Sequence, residues 1–173
     1  VKSLTPIMGR MEAFKADNTA TTIVDYAHTP DALESALRAC RKHCHGNLWV
    51  VFGCGGDRDK GKRPLMAQAA EIGADHVVFT TDNPRNEQAE AIIADMMAGC
   101  KKPELIDVLL NRKEAVLATL AKAKFDDIVL LAGKGHEDYI VIRNDKIPYN
   151  ERELVKSIYQ NSQFTNATTG AIS

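Results

Sequence analysis

The segment Asp82-Asn83-Pro84-Arg85 places an acid, an amide and a guanidinium directly behind the apolar run that starts at Val77. Proline fixes φ, so Arg85 would leave this turn on a stiff backbone, and a guanidinium held in that way can grip a carboxylate through two parallel hydrogen bonds. Asp82 can offer its charge to an ammonium in the same place. An acid and a base displayed together suit a zwitterionic amino acid. The plainer alternative is a type I turn carrying a surface arginine.

Other segments also join glycine or aromatic residues to charge. Gly53-Cys54-Gly55-Gly56-Asp57-Arg58-Asp59-Lys60-Gly61-Lys62-Arg63 offers a flexible backbone that could aim Arg58. Gly133-Lys134-Gly135-His136-Glu137 offers a carbonyl free of side-chain bulk and, in Glu137, a second partner for an ammonium. Asp25, Tyr26 and His28 bring a carboxylate, a phenol and an imidazole to the start of a helix, a set that suits a base and ribose beside a site favouring anions.

Two familiar phosphate motifs fail here. Gly56, Gly61 and Lys62 have the spacing of a phosphate-binding P-loop, but Arg63 stands where a Ser or Thr should bind Mg²⁺. Gly53 and Gly55 begin a dinucleotide fingerprint that breaks at Arg58, where a third glycine is required. Cys40, His43, Cys44 and His45 invite a metal reading, but Cys40 falls on an apolar helix face and no second ligand pair follows at zinc spacing. His76 reads as an ordinary residue.

These segments need strand ends to hold them. Apolar runs at Thr21 to Tyr26, Leu48 to Gly53, His76 to Thr81, Ile106 to Leu110 and Ile128 to Ala132 alternate with stretches of helical period. That alternation predicts βα units and a mostly parallel sheet, a Rossmann-like three-layer α/β sandwich. In such sheets ligands bind beyond the carboxyl ends of the strands, where all of these segments fall. Thr29 is expected to cap a first helix that Gly46 closes; further helices start at Pro64, near Asn86 and after Asn111. Tyr139 to Arg143 and Lys146 to Tyr149 flank Asn144 and Asp145 as a C-terminal β-hairpin, and Asn150 caps a last helix through Tyr159.

The chain has 173 residues with 45% hydrophobic content, enough for one domain with a proper core. Lys plus Arg number 22 against 23 for Asp plus Glu, so no overall basic field exists to hold nucleic acid or an anionic membrane. No apolar run approaches the roughly 18 to 20 residues of a membrane span, and no signal peptide is visible, so a cytoplasmic protein is expected. Cys40, Cys44, Cys54 and Cys100 read as reduced thiols. The start at Val1 suggests a piece of a longer chain.

The set "GRME" (9–12), "VDYAHTPDALE" (24–34), "FGCGGDRDKGKRPLM" (52–66), "DNPR" (82–85) and "GKGHED" (133–138) resembles the C-terminal domain of the Mur ligases, in particular those that add diaminopimelate. The resemblance implies residues 1–12 as a linker from a central ATPase domain, 13–160 as the amino-acid-binding domain and 161–173 as a flexible tail. It implies an ATP-dependent amide ligase of peptidoglycan biosynthesis, joining meso-diaminopimelate to UDP-MurNAc-L-Ala-D-Glu. ATP and Mg²⁺ would be held mainly by the central domain, and the other two domains would be partners of this one in a monomer. On that resemblance Arg58 and Arg85 hold the distal carboxylate of diaminopimelate, supported by Asp82, Asn83 and Pro84. Gly133, through its carbonyl, and Glu137 hold the distal ammonium. Arg10, Asp25, Tyr26 and His28 face the nucleotide, and no catalytic residue and no metal ligand fall in this stretch. The alternatives are a glutamate-adding ligase of the folylpolyglutamate type and a non-catalytic module binding an amino acid or a nucleotide.

Overall fold

The structure, a computed structural model, describes the backbone of residues 9–169 and side chains as far as Asn161. In chain order the elements are β1 (Glu12–Phe14), β2 (Thr21–Asp25), α1 (Pro30–Arg41), β3 (Leu48–Phe52), α2 (Lys62–Gly73), β4 (His76–Phe79), α3 (Ala89–Met97), β5 (Ile106–Val108), α4 (Arg112–Lys122), β6 (Ile128–Ala132), β7 (Tyr139–Ile142), β8 (Asp145–Pro148) and α5 (Glu151–Thr169). A single 3-10 turn, Pro103–Leu105, precedes β5.

One sheet has the order β1-β2-β6-β3-β4-β5, with β1 antiparallel to β2 and every other pair parallel. The chain steps outward through β3, β4 and β5 and then returns to slot β6 between β2 and β3. A single crossover hand demands that the connecting helices change faces when the direction of travel reverses. Residues of α1, α2 and α3 accordingly pack on one face, and residues of α4 and α5 on the other.

Strand β3 shows why the central runs carry no polar spacer. Leu48, Val50 and Phe52 join the first core, while Trp49 and Val51 join the second. A strand covered on both faces buries every side chain, and alternation disappears from its sequence. Burying one such side chain fully is worth about 1.5 to 3 kcal/mol, so these strands give the site a stiff floor. β7 and β8 form a separate antiparallel hairpin, and the three-layer α/β sandwich with a C-terminal hairpin is as expected.

The helix caps agree with the sequence: Thr29 Oγ1 accepts from Ala32 N, Asn111 Oδ1 from Glu114 N and Asn150 Oδ1 from Glu153 N. Several boundaries differ. α1 ends at Arg41, and Gly46 serves instead a close approach, since a Cβ there would lie 2.4 Å from Asp127 Oδ1. α2 begins at Lys62, before Pro64. α3 begins only at Ala89, because Asn86 and Glu87 are bonded to Asp57 in the glycine-rich loop. α5 stays helical past Tyr159 to Thr169. β1 has no counterpart in the sequence reading; three residues are too short a run to show a period. Residues 1–8 and 170–173, at the two ends of the expected linker and tail, lie outside the described residues.

Candidate functional site

The parallel strands all point their carboxyl ends at one edge, and there a cavity of about 350 Å³ opens. Its lining includes Tyr26, His28, Arg58, Asp82, Asn83, Arg85, Gly133 and Glu137. Of the residues singled out by sequence, Arg10, Asp25 and Pro84 are not in the lining. Pro84 is buried beneath it, and Arg10 is exposed. Asp25 turns both oxygens to backbone, accepting from Met11 N at 2.8 Å and Ala27 N at 2.8 Å. It thereby ties the segment before β1 to the end of β2.

Arg85 sits in the left-handed region at φ 51°, a conformation disfavoured for a side chain of its size by roughly 1 to 2 kcal/mol. The hairpin holds it there: Arg85 N donates to Val141 O at 3.0 Å, and Arg143 N donates to Arg85 O at 2.7 Å. β7 thus stiffens the arginine in addition to Pro84. On the other side, Gly56 N donates to Asn83 O at 2.8 Å, and a Cβ on Gly56 would overlap the Pro84 carbonyl at 1.8 Å. Glycine at this position is what lets the two loops touch.

The arginines meet over Gly55. A Cβ there would lie 2.9 Å from Arg85 Nη1 and 3.5 Å from Arg58 Cγ, so both side chains cross this residue. Arg85 Nη1 donates to Gly56 O at 2.9 Å, and Arg58 Nη1 to its neighbour's carbonyl at Asp57. Neither guanidinium meets a carboxylate among the described residues. This half of the cavity offers free donors with a positive charge.

The lining also carries an anionic set. Asp82 is buried, and its Oδ1 lies 3.0 Å from Lys134 Nζ but accepts no hydrogen bond. Glu137 Oε2 accepts from Asn83 Nδ2 at 3.2 Å and Lys134 Nζ at 3.3 Å. Gly133 takes φ 109°, open in practice only to glycine, where the chain turns between Asp25 and this pair. Burial first, and then the charges of Glu137 and Asp82, raises the Tyr26 phenol. Tyr26 packs its ring against His28 at 4.7 Å and His136 at 5.6 Å, forming an aromatic shelf beside the anionic end. Cys54 also lines the cavity, but burial followed by the Asp82 charge pushes its thiol up to about 12, so it carries no nucleophilic thiolate.

Sequence reasoning missed the charged residues that hold these loops from below. Arg63, read only as a break in a P-loop, is 1% exposed and pairs with Glu87 through both guanidinium ends, at 2.8 and 2.9 Å, and with Asp95 at 2.8 Å. Its Nη2 also donates to Gly55 O, and Glu87 in turn accepts from Asp57 N. A charge spacing of this kind is not local, so no short motif reveals it.

The Arg63 hydrogen bond, followed by that from Asp57 N, holds the Glu87 carboxyl at about 2. A carboxylate lowered from about 4.3 in the unfolded chain adds stability that is full above that pH and is lost as pH falls toward 2. We expect the urea midpoint of the chain to fall below about pH 4.5 and to fall less steeply in Glu87→Gln, with Glu12, lowered by its bond to Arg152, leaving a residual slope. Equal acid slopes in the two proteins would exclude this role for Glu87.

Among the described residues no cluster of His, Cys, Asp or Glu is arranged to hold a metal ion, and no helix is long and apolar enough to cross a membrane. Cys40 belongs to the first core, where burial pushes its thiol up to about 12. His76 stacks on Trp49 at 3.9 Å, at the start of β4 and away from the cavity.

Residues 9–135 match the family described as Mur ligase, glutamate ligase domain. The chain is 54% identical over 156 residues to a UDP-N-acetylmuramoyl-L-alanyl-D-glutamate--2,6-diaminopimelate ligase of Vibrio vulnificus, covering 90% of this chain and 32% of the relative. The corresponding ligase of Vibrio cholerae is also 54% identical, over 157 residues, with 91% and 32% covered. A solved structure of a ligase of the same description superposes with a TM-score of 0.84 at 43% identity, covering 92% of this chain and 33% of that one. A folylpolyglutamate synthase/dihydrofolate synthase of Yersinia pestis reaches a TM-score of 0.58 at 17% identity, over 73% of this chain and 28% of that one, a likeness of fold alone. The chain spans about a third of the length of the curated relatives it matches.

Proposed function

This chain belongs to the Mur ligases, and from that premise we propose that it binds meso-diaminopimelate for an ATP-dependent amide ligase of peptidoglycan synthesis. The observation that carries the reading is the bipolar cavity. Arg58 and Arg85 present unpaired donors at one end, and the carboxylates of Asp82 and Glu137 stand at the other. The distal carboxylate of diaminopimelate fits the first end and its distal ammonium the second, beside the Gly133 backbone. Asn83 supports Glu137, and Pro84 keeps the Arg85 turn stiff. L-Lysine keeps the spacing between the two amines but lacks the distal carboxylate, so the two arginines would have nothing to grip.

In the whole enzyme the amino end left outside this clamp would attack an acyl phosphate formed by ATP on the D-glutamate of UDP-MurNAc-L-Ala-D-Glu. The work of this chain is to fix the amine within reach, which converts a bimolecular encounter into an intramolecular one. Tyr26 and His28 fit a contact with the nucleotide's base or ribose, since they form an exposed aromatic shelf; Arg10 is exposed and free to reach a phosphate. Asp25 has both oxygens engaged by backbone and fits a supporting role there. The residues present do not fit Mg²⁺, for which no set of oxygen donors converges among the described residues, so no step through the metal is derived from them. We place 13–160 as the amino-acid-binding domain, with the preceding residues leading to the part that holds ATP, and we expect this chain alone to bind without turnover.

The test is amide formation by the full-length ligase containing this domain, with meso-diaminopimelate or L-lysine as acceptor. Strong preference for diaminopimelate is expected. Equal use of lysine, or preference for glutamate, would sink the reading.

A further inference from the structure

The Lys134 ammonium is wholly buried, yet it sits directly behind three residues of the cavity. Its Nζ lies 2.6 Å from Asn83 Oδ1, 3.0 Å from Asp82 Oδ1, 3.0 Å from the Tyr139 carbonyl and 3.3 Å from Glu137 Oε2. Asn83 Oδ1 also accepts from Val141 N at 2.9 Å. With its oxygen claimed by two donors, the Asn83 amide must turn its Nδ2 toward Glu137 Oε2.

We propose that Lys134 is a positioning residue for amino-acid capture, aiming Asn83 and Glu137 and compensating one of the two carboxylates, so that the anionic end is matched to a single ammonium. The inference rests on the diaminopimelate reading above. Three features separate it from plain structural burial. All three side chains that Lys134 holds line the cavity, whereas Arg63, itself in the lining, and Arg112, the other fully buried cations among the described residues, pair with Glu87, Asp95 and Glu151, which do not line it. The lysine and Glu137 come from the β6 loop and Asp82 and Asn83 from the β4 loop, so Lys134 also sets the spacing between the two walls that must face the ligand. Asp82 turns its buried Oδ1 to the lysine at 3.0 Å while the side chain lines the cavity, which leaves the other carboxylate oxygen for a ligand donor. A bare pair of carboxylates would repel one another and draw in a cation or a proton. With the lysine behind them they stay aimed and open toward the cavity.

The experiment is steady-state kinetics of the full-length ligase with Lys134→Met, which keeps the volume and removes the charge. The expected result is a rise of about tenfold or more in KM for diaminopimelate, the loss of one charge-assisted contact network. KM for ATP and for the UDP-linked substrate should stay as in wild type, and kcat at saturating amino acid should change by less than about threefold. A second variant, Asn83→Asp, leaves Lys134 and its ion pairs in place but turns an acceptor toward Glu137; it should raise the same KM even if Lys134→Met fails to fold. A KM for diaminopimelate within twofold of wild type in either folded variant overturns the proposal, as does a proportional loss in all three substrates. Should wild type consume a different amino acid, the diaminopimelate reading falls, and Lys134 is then judged by the KM for that amino acid.

Discussion

Arg85→Ala is expected to weaken use of meso-diaminopimelate by roughly 30-fold or more, since truncating one partner of a desolvated charge pair costs about 2 to 5 kcal/mol. Its guanidinium is anchored at Nη1 on the Gly56 carbonyl, and the side chain lines the cavity with Nε and Nη2 left without a partner among the described residues. The backbone under it is over-determined, by Val141 and Arg143 of the hairpin side and by Pro84 before it, so the turn survives the truncation. The loss should therefore fall on KM for diaminopimelate, with any residual use of L-lysine unchanged. Arg85→Lys restores the charge without the fork, and is expected to recover only a small part of the loss. Measuring kcat/KM for both amino acids in wild type and the two variants decides the matter. If Arg85→Ala costs lysine as much as diaminopimelate, the arginine is holding the loop and not the distal carboxylate.

The strands that build this site were legible because sheets covered on both faces leave long apolar runs, and Leu48 to Phe52 and Ile128 to Ala132 are such runs. The loops were legible because turns have chemistry of their own: Gly56 and Gly133 stand where backbone must touch backbone or adopt a positive φ. What stayed hidden was charge put to use in the interior. Arg63 stood out only as a break in a P-loop and Lys134 only as part of a glycine-rich segment, and Arg112 did not stand out at all, since a lysine or arginine is seldom fully buried unless paired and its partner is not visible locally. Apart from Glu137, three residues after Lys134, their partners lie far along the chain, Glu87 and Asp95 for Arg63, Glu151 for Arg112 and Asp82 for Lys134. No period or motif links such positions; only the fold brings them together. The role of β7 in pinning Arg85 was hidden for the same reason, because a hairpin signal says nothing about which loop the hairpin will lie against.

The largest effect on stability is expected from Arg112→Met. Both members of its pair with Glu151 are wholly buried, with Nε 2.7 Å from Oε1 and Nη2 3.0 Å from Oε2. Nη2 also donates to the carbonyl of Ala132, the last residue of β6, and Tyr149 Oη donates to Glu151. The pair thus joins the starts of α4 and α5 beneath the loop that carries Gly133 and Lys134. Removing the guanidinium alone leaves a carboxylate in the interior without its cation, which costs about 3 to 5 kcal/mol. With a urea dependence of about 1 to 3 kcal/mol per molar, the unfolding midpoint should drop by roughly 1 M or more. Taking both charges away, in Arg112→Met with Glu151→Leu, is expected to recover most of that loss, because two apolar side chains can fill the space without a desolvation penalty. A single variant within about 1 kcal/mol of wild type would mean that Glu151 finds another partner or water when Arg112 is gone. A double variant no better than the single would mean instead that the bonds to Ala132 and Tyr149, and not the charge balance, are what this corner of the fold depends on.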